Sequence, residues 1–379
     1  MKSNYNQLGQ YIEMVSRTNS DLKYGIEDVR GCSNTKQMMQ TRANLIGRTY
    51  EKFIVLRPQE FVFNRRTTRN GEKIGMAYNN TDREYIFTND YVAFRVKQEY
   101  LDKLLPDYLY MFFCRDEFDR YARYKSTGSA TEFFNWEDMC AVPFEIPPMD
   151  FQQLVVNAYK VLNERIETKQ KINDNLIDTT DTIFFKMFLE NKPAATISFT
   201  DIVQLMGGGT PKTDENSFWN GNILFFTPKD ISRSPFCIST EKHLTNEGLN
   251  NCSSRLYPPY TTFVTCRGTV GNLALAGVSM AMNQSCYALK GKNDFPALFV
   301  FSFTRYAIAT MKKKASGAVF SALVTRDFEM EKVFEPNLKD AILFEKRVEP
   351  FFAQILANTN EIQQLLDLQN ALLTQLSSR

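Results

Sequence analysis

Two long stretches of the chain repeat apolar residues every three or four positions. The first runs from Phe151 to about Leu189 and contains neither Gly nor Pro, and the second runs from residue 340 to residue 376. This spacing predicts two α-helices rather than strands. Because a narrow apolar stripe on a lone helix stays in water, we predict that the two helices pack on each other, with polar Asn358 and Gln369 on the seam. The predicted pairing residues are Leu162, Ile166, Leu176, Val348, Ile355, Ile362, Leu365 and Leu372.

Short β-type runs separated by turn signals precede each long helix. The predicted strands are residues 53–56, 61–63, 85–87 and 91–94 in the first half and 261–265, 273–276 and 287–289 in the second. Asn70-Gly71 is a hairpin signal between the strands of the first half. Helices are predicted at 106–124, which has Pro at its start, and at 296–313. Each long helix therefore follows a whole globular domain.

The two halves of the chain look like copies of one unit. Three pairs match at a constant offset of 189 positions, and they are Gly128 and Gly317, Asp138 and Asp327, and Pro147 and Pro336. Earlier in each half the register drifts, so that Asn89 corresponds to Asn283 only with a small insertion. Coincidence among common turn residues is the competing explanation. Matches in fixed register beside two helices of like length favour duplication.

These patterns predict an α/β (α+β) protein with two similar domains and two long antiparallel, coiled-coil-like helices, related by a pseudo-two-fold internal repeat. The predicted boundaries are 1–150 for the first domain, 151–190 for the first helix, 191–336 for the second domain and 337–379 for the second helix. A helix of about 36 residues spans roughly 54 Å. That length corresponds to about one and a half turns of DNA.

Composition and charge are those of an ordinary globular protein. The chain is 43% hydrophobic and 23% charged, and its net charge is +2, so any basic surface must be local. Its 7 cysteines contain no C-x-x-C pair and predict reduced thiols. We see neither a signal-peptide pattern at the N-terminus nor an apolar run of membrane-spanning length, and we expect a cytoplasmic protein without membrane contact.

No catalytic constellation emerges from the sequence. His243 is the one histidine, and no cysteine, acid or serine pattern frames it. Without a spaced Cys/His set, a zinc site is disfavoured. Gly207-Gly208-Gly209 is not followed by the residues of a phosphate-binding loop, and a nucleotide-binding glycine motif is missing as well.

Basic and hydroxylated loops remain as candidate chemistry. Arg and Lys beside Ser and Thr suit phosphate contact, whereas Arg, Asn and Gln can read base edges. A solvated loop explains any single one of these segments, but the pattern occurs in both halves, which favours DNA binding. The first half offers residues 65–73 and 125–129, and the second offers 265–272 and 312–317.

Several motifs of the second half resemble the specificity subunit of type I restriction-modification systems. The target-recognition domains of that family typically show a GGTP segment, a W-G-x-I strand, a TPxDIS turn, an SxRGxxG strand pair and a TNQ segment. The corresponding residues here are 208–211, Trp219-Asn220-Gly221, 227–232, 267–271 and Asn283-Gln284. In the first half the GGTP segment is missing, and residues 8–29 resemble a second style of opening in the same family.

The resemblance implies a non-catalytic, DNA-recognising subunit. Each recognition domain would read half of an asymmetric, split site in double-stranded DNA, and the helices would set the gap and dock two modification (methyltransferase) subunits. Restriction subunits would join them to form the nuclease. S-adenosylmethionine would bind the modification subunit, so that no cofactor is expected in this chain.

The DNA-facing residues that we predict combine the basic loops with the family motifs. Phe63 and Trp219 are predicted to be core residues rather than base-stacking ones. The predicted DNA-facing residues are Arg65, Arg66, Thr68, Arg69, Lys73, Lys125, Ser129, Thr210, Lys212, Thr213, Lys229, Arg267, Thr269, Asn283, Gln284, Lys312, Lys313 and Lys314.

Two other classes of function stay open at this point. One is a structural adaptor whose duplicated domains bind proteins, with the helices as spacer. The other is a self-sufficient methyltransferase or nuclease, which would need a methyl-donor loop or a metal-binding acid cluster, and the sequence shows neither.

Overall fold

The computed structural model describes residues 6–41, 45, 47–67, 73–128, 132–190, 195–314 and 322–376. The chain forms two compact units. The first unit comprises residues 1–164 and 366–379, and the second comprises residues 165–365. Each unit therefore contains one part of each long helix. The domain boundaries predicted from the sequence stay predictions.

The first unit is built on an antiparallel sheet packed against short helices. Its strands are β1 (Ile12–Val15), β2 (Arg30–Cys32), β3 (Met38–Gln40), β4 (Ile54–Leu56), β5 (Phe61–Asn64), β6 (Met76–Tyr78), β7 (Tyr85–Phe87) and β8 (Tyr91–Val96). Its short helices are α1 (Pro106–Phe113), α2 (Asp116–Lys125) and α3 (Trp136–Cys140). The main sheet has the order β1-β8-β5-β6, and β2–β3 and β4–β7 form separate two-stranded sheets. The core contains stacked aromatic side chains such as Phe61 and Phe94, whose ring centroids lie 5.1 Å apart.

The prediction of a single helix over residues 106–124 is wrong, because the structure has two helices there. The backbone of Arg115 is extended, so α1 ends at Phe113 and α2 begins at Asp116. The Arg115 guanidinium lies 4.0 Å from the ring centroid of Phe112 and donates to the carbonyl oxygens of Phe112 and Leu376. These tertiary contacts hold the bend, and residue spacing alone does not reveal them.

The second unit carries the larger sheet. Its strands are β9 (Thr196–Ser198), β10 (Val203–Gly207), β11 (Trp219–Phe226), β12 (Phe236–Cys237), β13 (Lys242–Leu244), β14 (Thr262–Thr265), β15 (Leu273–Ala276), β16 (Met280–Met282), β17 (Cys286–Gly291) and β18 (Lys332–Phe334). Its short helices are α5 (Phe199–Ile202), α6 (Asn246–Asn250), α7 (Ala297–Lys314) and α8 (Thr325–Met330). The main sheet has the order β10-β17-β14-β15-β12, with a smaller sheet β13-β11-β16 and the pair β18–β9. The strands predicted in this half and the helix predicted at 296–313 are confirmed to within a few residues.

The internal repeat is present in the sheet topology. Strands β1, β8, β5 and β6 lie side by side in that order, and strands β10, β17, β14 and β15 repeat the arrangement. All of these pairings are antiparallel. The Phe134 N–H donates to the Arg65 carbonyl oxygen at 2.9 Å, and the Leu323 N–H donates to that of Cys266 at 2.9 Å. Asp138 and Asp327 each accept from a backbone N–H three residues earlier and so cap equivalent helices.

The strand pairing also revises one sequence match. Tyr91 lies opposite Asn64, and Cys286 lies opposite Thr265 in the same way. The Tyr91 N–H donates to Thr88 O, and the Cys286 N–H donates to Asn283 O. The counterpart of Asn283 is therefore Thr88 and not Asn89. Gly317 of the predicted repeat lies outside the described residues.

The two long helices are α4 (Met149–Phe188) and α9 (Leu338–Gln375). In the second unit Arg165 pairs with Glu361, whereas Arg347 contacts Met187, so the two helices run antiparallel. Four of the predicted pairing residues are buried: Ile166, Val348, Ile355 and Leu365. The other four are partly buried: Leu162, Leu176, Ile362 and Leu372. Val161 and Ile172 of the apolar pattern face solvent instead.

Polar side chains interrupt the apolar seam at fixed places. In the second unit the buried Asn358 amide donates to Asn173 Oδ1 at 2.8 Å and accepts from Lys169 Nζ at 3.2 Å. In the first unit Gln369 donates to Asn163 Oδ1 at 2.7 Å. Because a buried amide is costly without its partner, each pair favours one register of α4 on α9.

Replacing Asn358 by Ala is expected to destabilise the protein, because it leaves the buried Asn173 amide without its partner. We expect a loss of about 1–3 kcal/mol in the free energy of unfolding, measured by denaturant titration. The matched control is Asn360→Ala, an exposed position two residues away on the same helix. Equal effects of the two substitutions would contradict a role for the buried amide.

Candidate nucleic-acid interface

Four loops of the second unit meet at one end of its sheets. The Gly209 N–H donates to Met282 O at 3.2 Å, and the Asn283 N–H donates to Phe226 O at 3.0 Å. The Cys266 N–H donates to Ser285 O at 2.7 Å. Segments 207–211, 226–230, 266–271 and 283–285 are therefore neighbours, although they lie up to about 80 residues apart in the chain.

Gly208 is required by the close approach of two of these loops. A Cβ atom at Gly208 would lie 2.3 Å from Asn283 O and 2.6 Å from Met282 O. Gly209 is similarly constrained, since its Cβ would lie 2.8 Å from the backbone nitrogen of Ser253. At Gly207, in contrast, nothing lies within 4 Å. The glycines of the GGTP segment thus allow the loops to pack backbone to backbone.

Polar side chains of the four loops are held in position by hydrogen bonds. Thr210 hydrogen-bonds the Gln284 side chain, and Asn283 Oδ1 accepts from the Ser285 N–H at 3.0 Å. The buried hydroxyl of Thr265 donates to Thr269 O and closes the turn that carries Arg267. Two glycines with positive φ, Gly268 at 79° and Gly271 at 73°, shape the same turn. These loops are therefore ordered by internal contacts.

The predicted cations of the second unit lie around these loops. Arg267 and Thr269 are exposed at the turn, and Lys212 and Thr213 are exposed on the segment that follows Pro211. Lys229 is exposed and lies 3.8 Å from Glu241. The side chain of Trp219 is partly buried against Phe225 and donates to Lys212 O at 3.0 Å, in agreement with a structural role.

The lysines that end α7 differ in their contacts. Lys312 Nζ donates to Gly271 O at 3.3 Å, which joins the end of α7 to the Arg267 turn. Lys313 is exposed. Lys314 Nζ pairs with the buried Glu331 carboxylate at 2.8 Å, so its charge is partly neutralised. Lys312 and Lys313 are thus better placed than Lys314 to meet an external anion.

In the first unit the predicted cations lie on the corresponding turn. Arg66 occupies the place of Arg267 and pairs with Asp90 at 3.5 Å, and Lys73 lies 3.6 Å from Asp116. Arg65 is exposed, and the Lys125 ammonium lies 5.9 Å from the ring centroid of Tyr121. Phe63 is fully buried, as predicted. Thr68, Arg69, Ser129 and the Asn70-Gly71 turn lie outside the described residues.

A hairpin in the first unit was not predicted from the sequence. Strands β2 and β3 pair in antiparallel fashion from Arg30↔Gln40 to Cys32↔Met38. Its turn contains Lys36, whose buried ammonium pairs with Asp119 and donates to Ile74 O at 2.9 Å. Burial lowers the pKa of Lys36, and the Asp119 carboxylate opposes that shift. Neither β2 nor β3 contains a β-branched or aromatic residue, so the segment carries no strand signal, and a lysine gives no signal for burial.

Cys266 and Cys286, which lie near the loops, are not activated nucleophiles. Burial raises the pKa of Cys266 to about 12 and raises the pKa of Cys286 as well. Both thiols therefore stay protonated at neutral pH. Within the described ranges, no group of three or more His, Cys, Asp and Glu side chains could hold a metal ion. His243 lies on β13, opposite Leu224.

A cleft of about 600 Å³ lies in the second unit between α4, α7 and the loop 231–235, and it reaches Gly271 and Lys312 beside the Arg267 turn. Both arginines that line the cleft form ion pairs. Arg233 pairs with Asp174, and Arg305 pairs with Asp181 at 2.6 Å. Burial raises the pKa of Asp181, and Arg305 counteracts that shift. The cleft thus lies at a junction between α4 and α7 where carboxylates neutralise both arginines.

Comparison with known proteins points to one family. Residues 191–367 match the family described as type I restriction modification DNA specificity domain. The MjaIX specificity subunit of Methanocaldococcus jannaschii is 27% identical over 127 residues, which are 32% of this chain and 29% of that protein. The HindI specificity subunit of Haemophilus influenzae is 24% identical over 186 residues, which are 47% of this chain and 40% of that protein. The matched segments thus span less than half of these relatives.

A solved structure supports the fold. The S subunit of a type I restriction-modification system from M. genitalium superposes with a TM-score of 0.54 at 14% identity, covering 98% of this chain and 96% of that chain. At that identity the likeness concerns the fold alone.

None of the helices in the described part of the chain is long and apolar enough to cross a membrane.

Two units that repeat one sheet order, together with two long antiparallel helices, define a two-domain α/β protein with helical spacers. Residues 191–367 match the type I restriction modification DNA specificity domain, and the chain is similar in sequence to specificity subunits of type I restriction enzymes.

Gly208→Ala is expected to disturb the packing of the four loops, because the added methyl group would meet the backbone oxygens of Met282 and Asn283. We expect a loss of about 1–3 kcal/mol in the free energy of unfolding. Gly207→Ala is the matched control, because its methyl group would enter open space. Thermal unfolding of both variants measures the difference, and a Gly208→Ala variant as stable as Gly207→Ala would refute the close packing.

Proposed function

We propose that this chain is the non-catalytic DNA-recognition subunit of a type I restriction-modification complex in the cytoplasm. Each domain reads one half of a bipartite, asymmetric site in double-stranded DNA. The long helices set the gap between the halves and dock two modification (methyltransferase) subunits. Restriction subunits complete the complex, and S-adenosylmethionine binds the modification subunits.

The observation that carries the proposal is the convergence of the four loops of the second unit. They bring Arg267, Thr210, Asn283 and Gln284 to one edge of the sheets, with Lys229 beside them. Arg reads guanine bidentately, and Asn or Gln reads adenine, whereas Lys and Thr suit phosphate oxygens. Because backbone contacts already hold the loops in one conformation, DNA binding costs little conformational entropy for ordering them.

Reading of an asymmetric site is supported by the differences between the repeated domains. Arg66 and Arg267 follow equivalent strands, which suits a shared contact. Thr88 stands where the second domain has Asn283, and the GGTP segment has no match in the first half of the sequence. Side chains that differ on one scaffold suit two different half-sites.

Measurement of a fixed gap is supported by the helix seam. The pairs Asn173–Asn358 and Asn163–Gln369 each satisfy buried amides in one register. A polar residue on such a seam specifies register at some cost in stability. A strut of fixed register is what a spacer between two half-sites requires.

Arg267→Ala is expected to weaken binding to the specific site much more than binding to random duplex. We expect a loss on the order of 10-fold to 100-fold for the specific site, because Arg267 is proposed to read a base edge. The specific site is first identified by mapping methylated positions in the host genome. Binding of both duplexes is then measured at several salt concentrations, with the modification subunit present.

The matched control is Lys290→Ala, which removes one exposed positive charge from the same sheet, four residues from the loop end of β17. Equal weakening of both duplexes by Arg267→Ala would reduce Arg267 to a phosphate contact. If the wild-type chain shows no sequence preference with or without the modification subunit, the adaptor function replaces the proposal.

The isolated chain is expected to give no heat with S-adenosylmethionine in a calorimetric titration, because the methyl donor is proposed to bind the modification subunit. The complex with that subunit is the positive control. Stoichiometric binding to the isolated chain would instead support a self-sufficient methyltransferase.

A further inference from the structure

The hairpin of the first domain, formed by β2, β3 and the turn between them, packs against the core of the unit through Cys32 and Met38 and exposes polar side chains at its turn. We propose that this hairpin enters the major groove and that Asn34 and Gln37 read base edges in one half of the DNA site. The inference rests on the proposed function and names the reading element of the first domain, where the sequence motifs are weakest.

The turn of the hairpin is closed in a defined conformation. The Ser33 N–H donates to Gln37 O at 2.9 Å, the Gln37 N–H donates to Ser33 Oγ at 3.0 Å, and the Lys36 N–H donates to Ser33 O at 3.3 Å. Lys36 has a φ of 61°, in the left-handed region that such three-residue loops normally fill with Gly. A lysine in this place is disfavoured unless its side chain gains compensating contacts.

The compensating contacts lie in the interior of the first unit. The Lys36 ammonium is bound between the Asp119 carboxylate and Ile74 O, and only 4% of its surface is exposed. Asp119 Oδ1 also accepts from the Ile74 N–H at 3.0 Å, and Tyr110 donates to Lys36 O at 3.2 Å. The contacts of Lys36 therefore anchor the turn to the interior of the unit and hold the turn in one conformation.

The anchor joins the hairpin to the predicted DNA-facing turn of the same domain. Ile74 directly follows Lys73, and the Met76 N–H donates to Ser33 O at 3.4 Å. The Tyr91 hydroxyl contacts the backbone of Cys32. Tyr91 is the first residue of β8 and directly follows Asp90, the ion-pair partner of Arg66. The hairpin thus stands beside cations suited to the phosphates that flank a groove.

The exposed residues of the hairpin suit base recognition. Asn34, Thr35, Gln37 and Gln40 are all exposed. A two-stranded ribbon fits the major groove, and Asn and Gln side chains pair bidentately with adenine. The base of the hairpin is stiffened by Arg30, whose guanidinium lies 4.6 Å from the ring centroid of Tyr85 and donates to Val29 O at 3.0 Å. A rigid ribbon with amides at its tip and cations beside it fits double-stranded DNA.

The test is selection from a random DNA library by the full chain with its modification subunit, comparing wild type, Asn34→Ala and Gln37→Ala. We expect each variant to keep the wild-type melting temperature, because both side chains are exposed. Each should lose on the order of 10-fold in base preference at positions of one half-site, with the other half-site unchanged. Gln98→Ala, an exposed amide beyond the far end of β8, is the matched control and should select the wild-type site.

The outcomes separate this inference from the proposed function. A wild-type site selected by both hairpin variants overturns the inference and leaves the proposed function intact. Uniform weakening on all sequences also overturns it, because that result indicates a phosphate or protein contact. Absence of any site selected by the wild-type complex defeats the proposed function, and the inference falls with it.

Discussion

Burial of amide side chains on the seam between α4 and α9 is the constraint on which the long helices depend. An apolar seam tolerates sliding, because leucine and isoleucine pack with many neighbours, whereas a buried amide is satisfied by one partner. Asn358 is the centre of this arrangement in the second unit, where Asn173, Gln354 and Lys169 all contact it. Gln369 and Asn163 form the corresponding pair of hydrogen-bonded amide side chains in the first unit.

Each domain is fastened to its long helix by a second kind of polar contact. In the first unit the fully buried Gln152 of α4 accepts from the Leu105 N–H at the start of α1 and donates to Lys103 O and Pro147 O. In the second unit Glu345 of α9 accepts from the N–H groups of Leu298 and Phe299 at the start of α7. Burial raises the pKa of Glu345, and the two N–H donors favour its charged form. A side chain of the long helix thus satisfies the first turn of a domain helix, which orients each domain on its own part of the spacer.

The two domains use one scaffold to hold different surfaces. The shared sheet order and the shared caps at Asp138 and Asp327 are set by backbone pairing, which tolerates changes in side chains. The second domain packs its loops through glycine, as at Gly208, whereas the first anchors its hairpin through Lys36 and Asp119. A domain that must read a particular sequence needs such fixed loops, because each contact is useful only in one geometry. The different solutions agree with the proposal that the two domains read half-sites that are not alike.

The sequence by itself determined the long helices, the polar seam positions Asn358 and Gln369, the repeat and a minority of the strands, because these features follow from apolar periodicity and local turn chemistry. The predicted strands are β4, β5, β7, β8, β14, β15 and β17. The sequence also indicated the family through residues 208–211 and 267–271. Tertiary structure decided the bend at Arg115, the exposure of Val161 and Ile172, and the convergence of the four loops. It also decided the burial of Lys36, a charged residue whose interior position depends on Asp119, 83 residues away. Contacts between distant segments leave no periodic signal, so the folded chain alone reveals which polar residues meet and which stay free for a partner.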